Sequence, residues 1–182
     1  MANLDGAKGF SPLRSPYGTE IPVEEFQAVT SVTIYPGQIL YMSATGEVNI
    51  WSGTATGRTS LLGAAMGYLP ATQSDRAILV AHSPEQEYEV QVDDGTLTNV
   101  GLITGENFGS TNMTAVNATA LRSLAEIDGS DSGVTNNSTS IRPFRALRVS
   151  RNQEGADLSA TWPNIVVKIN DINHHYRADA GI

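Results

Sequence analysis

Between Ala77 and Thr96 the chain reads AILVAHSPEQEYEVQVDDGT, and this stretch limits the possible folds more than any other. Tyr88, Val90 and Val92 alternate with Glu87, Glu89 and Gln91, the period-two pattern of a strand with one dry and one wet face. Before it, Ile78 to Ala81 form a short apolar run that should stop at His82-Ser83-Pro84, because proline cannot donate to a sheet ladder. Asp93-Asp94-Gly95 supplies a turn after it. The expectation is a hairpin with Tyr88, Val90 and Val92 in the core and Glu87 and Glu89 in water. Each buried apolar side chain contributes roughly 1.5–3 kcal/mol, so a one-residue slip would exchange that core face for glutamates, and the register is well specified.

The same punctuation continues on both sides. Ala28 to Tyr35 are rich in strand formers and turn at Pro36-Gly37 into Gln38 to Met42. Ala44-Thr45-Gly46 turns again into Glu47 to Trp51. Leu61 to Leu69 is a small-residue strand whose glycines predict a bulge or a close backbone approach. Further strands are expected at 96–103, from Ile141 to Val149 and from Ile165 to Ile169. Met113, Val116, Ala120, Leu121, Leu124 and Ile127 fall at helical spacing among poor helix formers, so that segment reads either way. Residues 129–140 have loop composition, and the chain ends in a polar tail. Short strands at this spacing predict a mainly β chain: a single compact β-sandwich or β-barrel-like domain over 28–182, with few or no helices.

Residues 1–27 carry three prolines and three glycines among isolated large residues, with no period. Phe10, Leu13, Tyr17, Ile21 and Phe26 are more apolar anchors than a disordered tail normally holds, which predicts an extended N-terminal arm. At 182 residues and 40% hydrophobic content the chain can build one real core. It has no cysteine, so disulfides and thiolate metal sites are excluded. A net charge of −8 argues against general nucleic-acid binding and favours solubility. No apolar run approaches the ~20 residues of a membrane span, and the first residues lack a signal-like pattern, so a soluble, unprocessed protein is expected.

Catalytic signals are thin. Ser130-Asp131-Ser132-Gly133 resembles the surroundings of a protease nucleophile, but no histidine lies in a matching context. Asp128, Ser130, Ser132 and Gly133 also resemble the start of a calcium loop, except that Thr139 stands where a bidentate glutamate is needed. His174-His175 point apart on any strand and have no partners at ligand spacing, so surface or interface histidines are expected and no metal or cofactor. One cluster stands out: Arg142, Arg145, Arg148 and Arg151, interleaved with Phe144, Leu147 and Val149. In so acidic a chain, pairing with its own carboxylates or docking on an acidic protein partner is preferred to nucleic acid.

In their order, several motifs resemble those of bacteriophage capsid decoration (cement) proteins. They are Gly9-Phe10-Ser11-Pro12-Leu13-Arg14, Pro36-Gly37-Gln38-Ile39-Leu40, Thr45-Gly46-Glu47-Val48 and Leu62-Gly63-Ala64. The Ser83 to Gln91 segment, the basic strand Phe144 to Arg151, Val167-Lys168-Ile169-Asn170 and His174-His175-Tyr176-Arg177 complete the series. The resemblance implies a β-rich virion protein without enzymatic activity that binds the outer surface of a head built from HK97-fold major capsid protein. It also implies homotrimers at threefold or quasi-threefold positions, assembly in the host cytoplasm, and no membrane partner. On this reading Phe10, Pro12, Leu13, Arg14 and Tyr17 of the arm, with Arg142, Arg145, Arg148 and Arg151, are the capsid-binding candidates. The other reading is a tail-associated receptor- or glycan-binding component that exposes Trp51, Tyr68 and Trp162.

Overall fold

Two sheets built from strands of three to eight residues, with a two-residue edge strand on one of them, pack face to face. The computed structural model describes residues 6–13, 20–53, 60–93, 105–133, 142–150 and 162–177. The first sheet joins Ser11–Pro12 (β1), Tyr88–Gln91 (β7), Asn164–Ile169 (β13), Phe144–Val149 (β12), Asn107–Thr111 (β8) and Glu126–Gly133 (β11), in that order. The second joins Val23–Gln27 (β2), Ala77–Ala81 (β6), Leu61–Ala65 (β5), Ile39–Met42 (β3) and Val48–Ile50 (β4). Val116–Asn117 (β9) and Arg122–Ser123 (β10) form a small separate ladder. The chain is mainly β, a compact sandwich of two partly closed sheets, and its only helix among the described residues is a 3₁₀ turn at Asp171–Asn173.

Both sheets curl. A parallel bridge from Ala28 to Val48 draws the second sheet's outer strands together around Leu40, Val48, Leu62, Ala65, Ile78 and Val80. A parallel bridge from Val92 to Ile127 does the same between β7 and β11 of the first. The larger core between the sheets takes Tyr88, Val90 and Val92 from β7 and its end, and Ile165, Val167 and Ile169 from β13. Opposite them stand Ile39, Leu61, Ala64 and Ala81 of the second sheet. Strand β3 therefore feeds both cores by simple alternation: Ile39 and Tyr41 face one, Leu40 and Met42 the other.

Strand β5 does so with a fault in the alternation. Its register against β3 shifts at Leu62, so Leu61 and Ala64 face one core while Leu62 and Ala65 face the other. Gly63 sits at that shift, where a Cβ would lie 1.9 Å from the Ala81 carbonyl oxygen. Only a residue without a side chain lets β5 and β6 approach so closely. The phenol of Tyr88 reaches the same point and donates to the Ala81 carbonyl at 2.7 Å, tying β7 to β6 across the two sheets.

That bond corrects the reading of the 77–96 stretch. Its two strands form as expected, with Tyr88, Val90 and Val92 buried, but they do not pair: β6 belongs to one sheet and β7 to the other. Alternation fixes which side chains face inward and says nothing about which neighbour supplies the hydrogen bonds. The opposite face of β7 is not wet either. Glu87 and Gln91 are buried and Glu89 half-buried, each held by a polar partner.

Other boundaries move as well. The strand expected from Ala28 to Tyr35 shrinks to bridges at Ala28 and Ile34, and the pairing strand is β2, inside the segment expected to be an arm. Pairing with β6 outweighs the weaker strand propensity of Val23-Glu24-Glu25-Phe26-Gln27. Residues 113–125 are turns and the short β9–β10 ladder rather than a helix, Glu126 and Ile127 open β11, and residues 129–133 continue β11 through a bulge instead of looping. The strand expected over 96–103 lies outside the described residues.

Candidate partner-binding surfaces

The N-terminal candidates divide between core and edge. Gly9 adopts a left-handed φ of 68°, and a Cβ there would stand 2.6 Å from the Gly37 carbonyl oxygen, so the two glycines allow the chain to press in. The next residue, Phe10, donates its N–H to that carbonyl at 2.9 Å and buries its ring fully. The ring lies 4.6 Å from Phe144 and edge-on to Tyr88 at 6.2 Å. Phe10 is thus a core residue of this chain and is not free to anchor on another, which corrects the arm reading at this position. Pro12 and Leu13 are half-buried along β7. The Leu13 N–H donates to the Glu87 carbonyl at 2.8 Å, and its own carbonyl accepts from Gln86 Nε2 at 2.6 Å. Arg14 and Tyr17 lie outside the described residues.

The basic strand is a sheet face. Phe144 and Ala146 point into the core, so Arg145 points out, opposite Lys168 of β13. A register shift between Ala146 and Arg148 keeps Arg148 out as well, where it pairs with Glu87 at 2.5 Å. That hydrogen bond and charge hold the Arg148 guanidinium above even its ordinary high value. Ser150 Oγ donates to Glu89 at 2.6 Å on the same side. Arg142 is half-buried, and its carbonyl accepts from Asn170 Nδ2 at 2.7 Å. Arg151 lies outside the described residues. The structure thus brings Arg145, Arg148 and Lys168 together with Glu87 and Glu89; Arg148 is internally paired and Arg145 is exposed.

Residues from β2, the connection after β6 and the C-terminal segment form a third group that spacing did not reveal. After the 3₁₀ turn the chain runs beside β5: His174 bridges Leu61, and the His175 N–H donates to the Leu61 carbonyl at 2.7 Å. His174 is fully buried, contrary to the expected surface histidine. All three histidines meet here around the Tyr176 ring, with His82 at 5.7 Å, His174 at 5.9 Å and His175 at 5.0 Å. Glu24 of β2 stands 3.5 Å from His82 Nε2, and Phe26 lies edge-on to the His82 ring. Burial pushes the His174 imidazole down to about 4; the His82 backbone opposes this, and the charges of Arg177, His175 and His82 add smaller downward effects. Burial also lowers His175. Arg177 is tied to Asp171 and Glu85 at the rim.

Arg76 was also invisible to the sequence reading. Its buried guanidinium donates to the carbonyls of Pro70, Val29 and Val32, closing the loops at one end of the smaller core. No run of neighbouring charges marks it, because its partners are backbone.

Ser130 faces its own turn: its N–H and Oγ both meet Asp128 Oδ1, at 2.9 and 2.6 Å, while the histidines lie in the cluster around Tyr176. Among the described residues no group of three or more His, Cys, Asp or Glu is arranged to hold a metal ion. Of the aromatic residues expected at the surface, Trp51 is buried against Phe144, Trp162 is half-buried, and Tyr68 is exposed beside Tyr35. Comparison with protein-family models, with curated proteins and with solved structures returns no match.

Proposed function

We propose that this chain is a virion structural protein, a cement or decoration protein that binds the outer surface of an HK97-fold phage head and stabilises it. Its partners are the major capsid protein and further copies of itself, as homotrimers at threefold or quasi-threefold positions. The observation that carries the reading is where the resembling motifs fall. Gly9-Phe10 packs on Pro36-Gly37, Gly63 meets Ala81 and Tyr88, and His174 to Arg177 clasp Leu61. Motifs spread along the sequence converge on the joints between the two sheets, as expected of a set that defines one fold.

Arg145, exposed beside the Arg148–Glu87 pair, is the candidate contact to an acidic capsid surface, together with Arg14 and Tyr17. Deleting residues 2–20 would remove Phe10 from the core, so the clean test is Arg145→Glu. Purified protein is mixed with undecorated heads and bound copies are counted by gel densitometry. Wild type should bind at a copy number comparable to the capsid protein, and Arg145→Glu should bind less with an unchanged circular dichroism spectrum. Only a handful of copies in whole virions would favour a tail-associated receptor- or glycan-binding component and overturn the reading.

A further inference from the structure

The C-terminal segment is held against the sheets by a ring that has room for one proton only. Tyr176 N–H donates to His174 Nδ1 at 3.2 Å, so that nitrogen is an acceptor and the neutral ring carries its hydrogen on Nε2. Nε2 is buried and makes no hydrogen bond of ordinary geometry among the described residues. A second proton has to enter at Nδ1, where a backbone N–H already points. It would also charge a fully buried ring. We infer that residues 174–177 form an acid-released clasp: protonation of His174 at Nδ1 breaks its bond to Tyr176 and frees the segment from Leu61 while both sheets stay folded.

The surrounding groups favour release over accommodation. From the connection after β6 come His82 and Glu85, and from β2 come Glu24 and Phe26. The clasp itself contributes His175, Tyr176 and Arg177, and its root contributes Lys168 and Asp171. Strand β5 offers the Leu61 backbone and no charged side chain. The carboxylates are already engaged: Glu24 faces His82, and Glu85 and Asp171 hold Arg177 and Lys168. Among the described residues, a charge on His174 therefore meets Arg177, His175 and His82 with no carboxylate of its own.

The direction with pH follows. The folded His174 titrates at about 4, below its ordinary 6.5, so the open form binds the proton more tightly. The clasp is fully held above about pH 6.5 and loosens as the pH falls toward 4. At pH 5 the open-to-closed ratio should be roughly 30-fold higher than at pH 8.

Hydrogen-exchange mass spectrometry on the full chain, corrected for intrinsic exchange chemistry, tests this. Protection at His175, whose amide bonds Leu61, and at Tyr176 should drop roughly 30-fold between pH 8 and pH 5, while peptides from β5 and β13 keep theirs. Equal loss in β13, or none at His175, would overturn the proposal. His174→Leu cannot take up a proton, so protection at residues 175 and 176 should be the same at pH 5 as at pH 8, and a loss on acidification in that variant would also overturn the proposal. Should His174→Leu not fold, the imidazole resonances of the unmodified chain decide: a His174 ring titrating near 6.5 contradicts the clasp.

Discussion

Phe10 and His174 occupy matching places at the two ends of the chain. Each puts one fully buried ring against the joint between the sheets, beside a backbone bond to the second sheet's side: Phe10 N–H to Gly37 just before β3, and His175 N–H to Leu61 of β5. Phe10 is surrounded by Tyr88 and Phe144, with no titratable group of its own. His174 is surrounded by His175, Tyr176 and Arg177. The same architectural role is therefore filled once by dispersion and apolar burial, which are indifferent to pH, and once by a base that must stay neutral. The N-terminal joint is permanent, and the C-terminal joint is conditional.

The largest effect that could break this contrast is Phe10→Ala. It should cost about 3–5 kcal/mol in chemical denaturation, the range for removing a buried aromatic ring, and the cost should be the same at pH 8 and pH 5. A cost that varies with pH would place Phe10 in the titrating network. Next comes Tyr88→Phe, which strips one buried hydrogen bond from the Ala81 carbonyl while its pairing with β5 remains. About 0.5–1.5 kcal/mol should be lost, again without pH dependence, since burial pushes the Tyr88 hydroxyl far above the neutral range. Smallest is Arg177→Ala, at the exposed rim of the clasp. Its pairs with Glu85 and Asp171 are screened by salt, the Debye length falling from about 10 Å at 0.1 M to about 3 Å at 1 M, so its effect on the thermal midpoint should shrink toward zero in 0.5 M NaCl.

Much of the fold was legible because period two survives in the sequence. Strands β3, β4, β6, β7, β12 and β13 lie where alternation and turn residues put them. The glycine-rich strand was read correctly as a close approach, and Gly63 is its cause. Strands β2, β8 and β11 were not legible, since their residues are polar and their pairing energy comes from neighbours distant in sequence. The wet face assigned to Glu87 failed for the same reason. Its partner, Arg148, reaches it from β12 across β13, sixty-odd positions along the chain in a register no local pattern encodes. Arginines on one strand face were visible; that one of them is internally paired was not. The burial of His174 depends on Leu61, so the sequence around the histidines could not disclose it.

The division of strands between the sheets also bears on the order of events during synthesis. The second sheet takes all its strands from residues 23–81, so it can close as soon as that length of chain is free, without waiting for the remainder. The first sheet joins β1, made at the outset, to β13, made near the end. Phe10 must therefore remain without its pocket until Phe144 has left the ribosome, and the earliest large apolar side chain of the core among the described residues is one of the last to find its place.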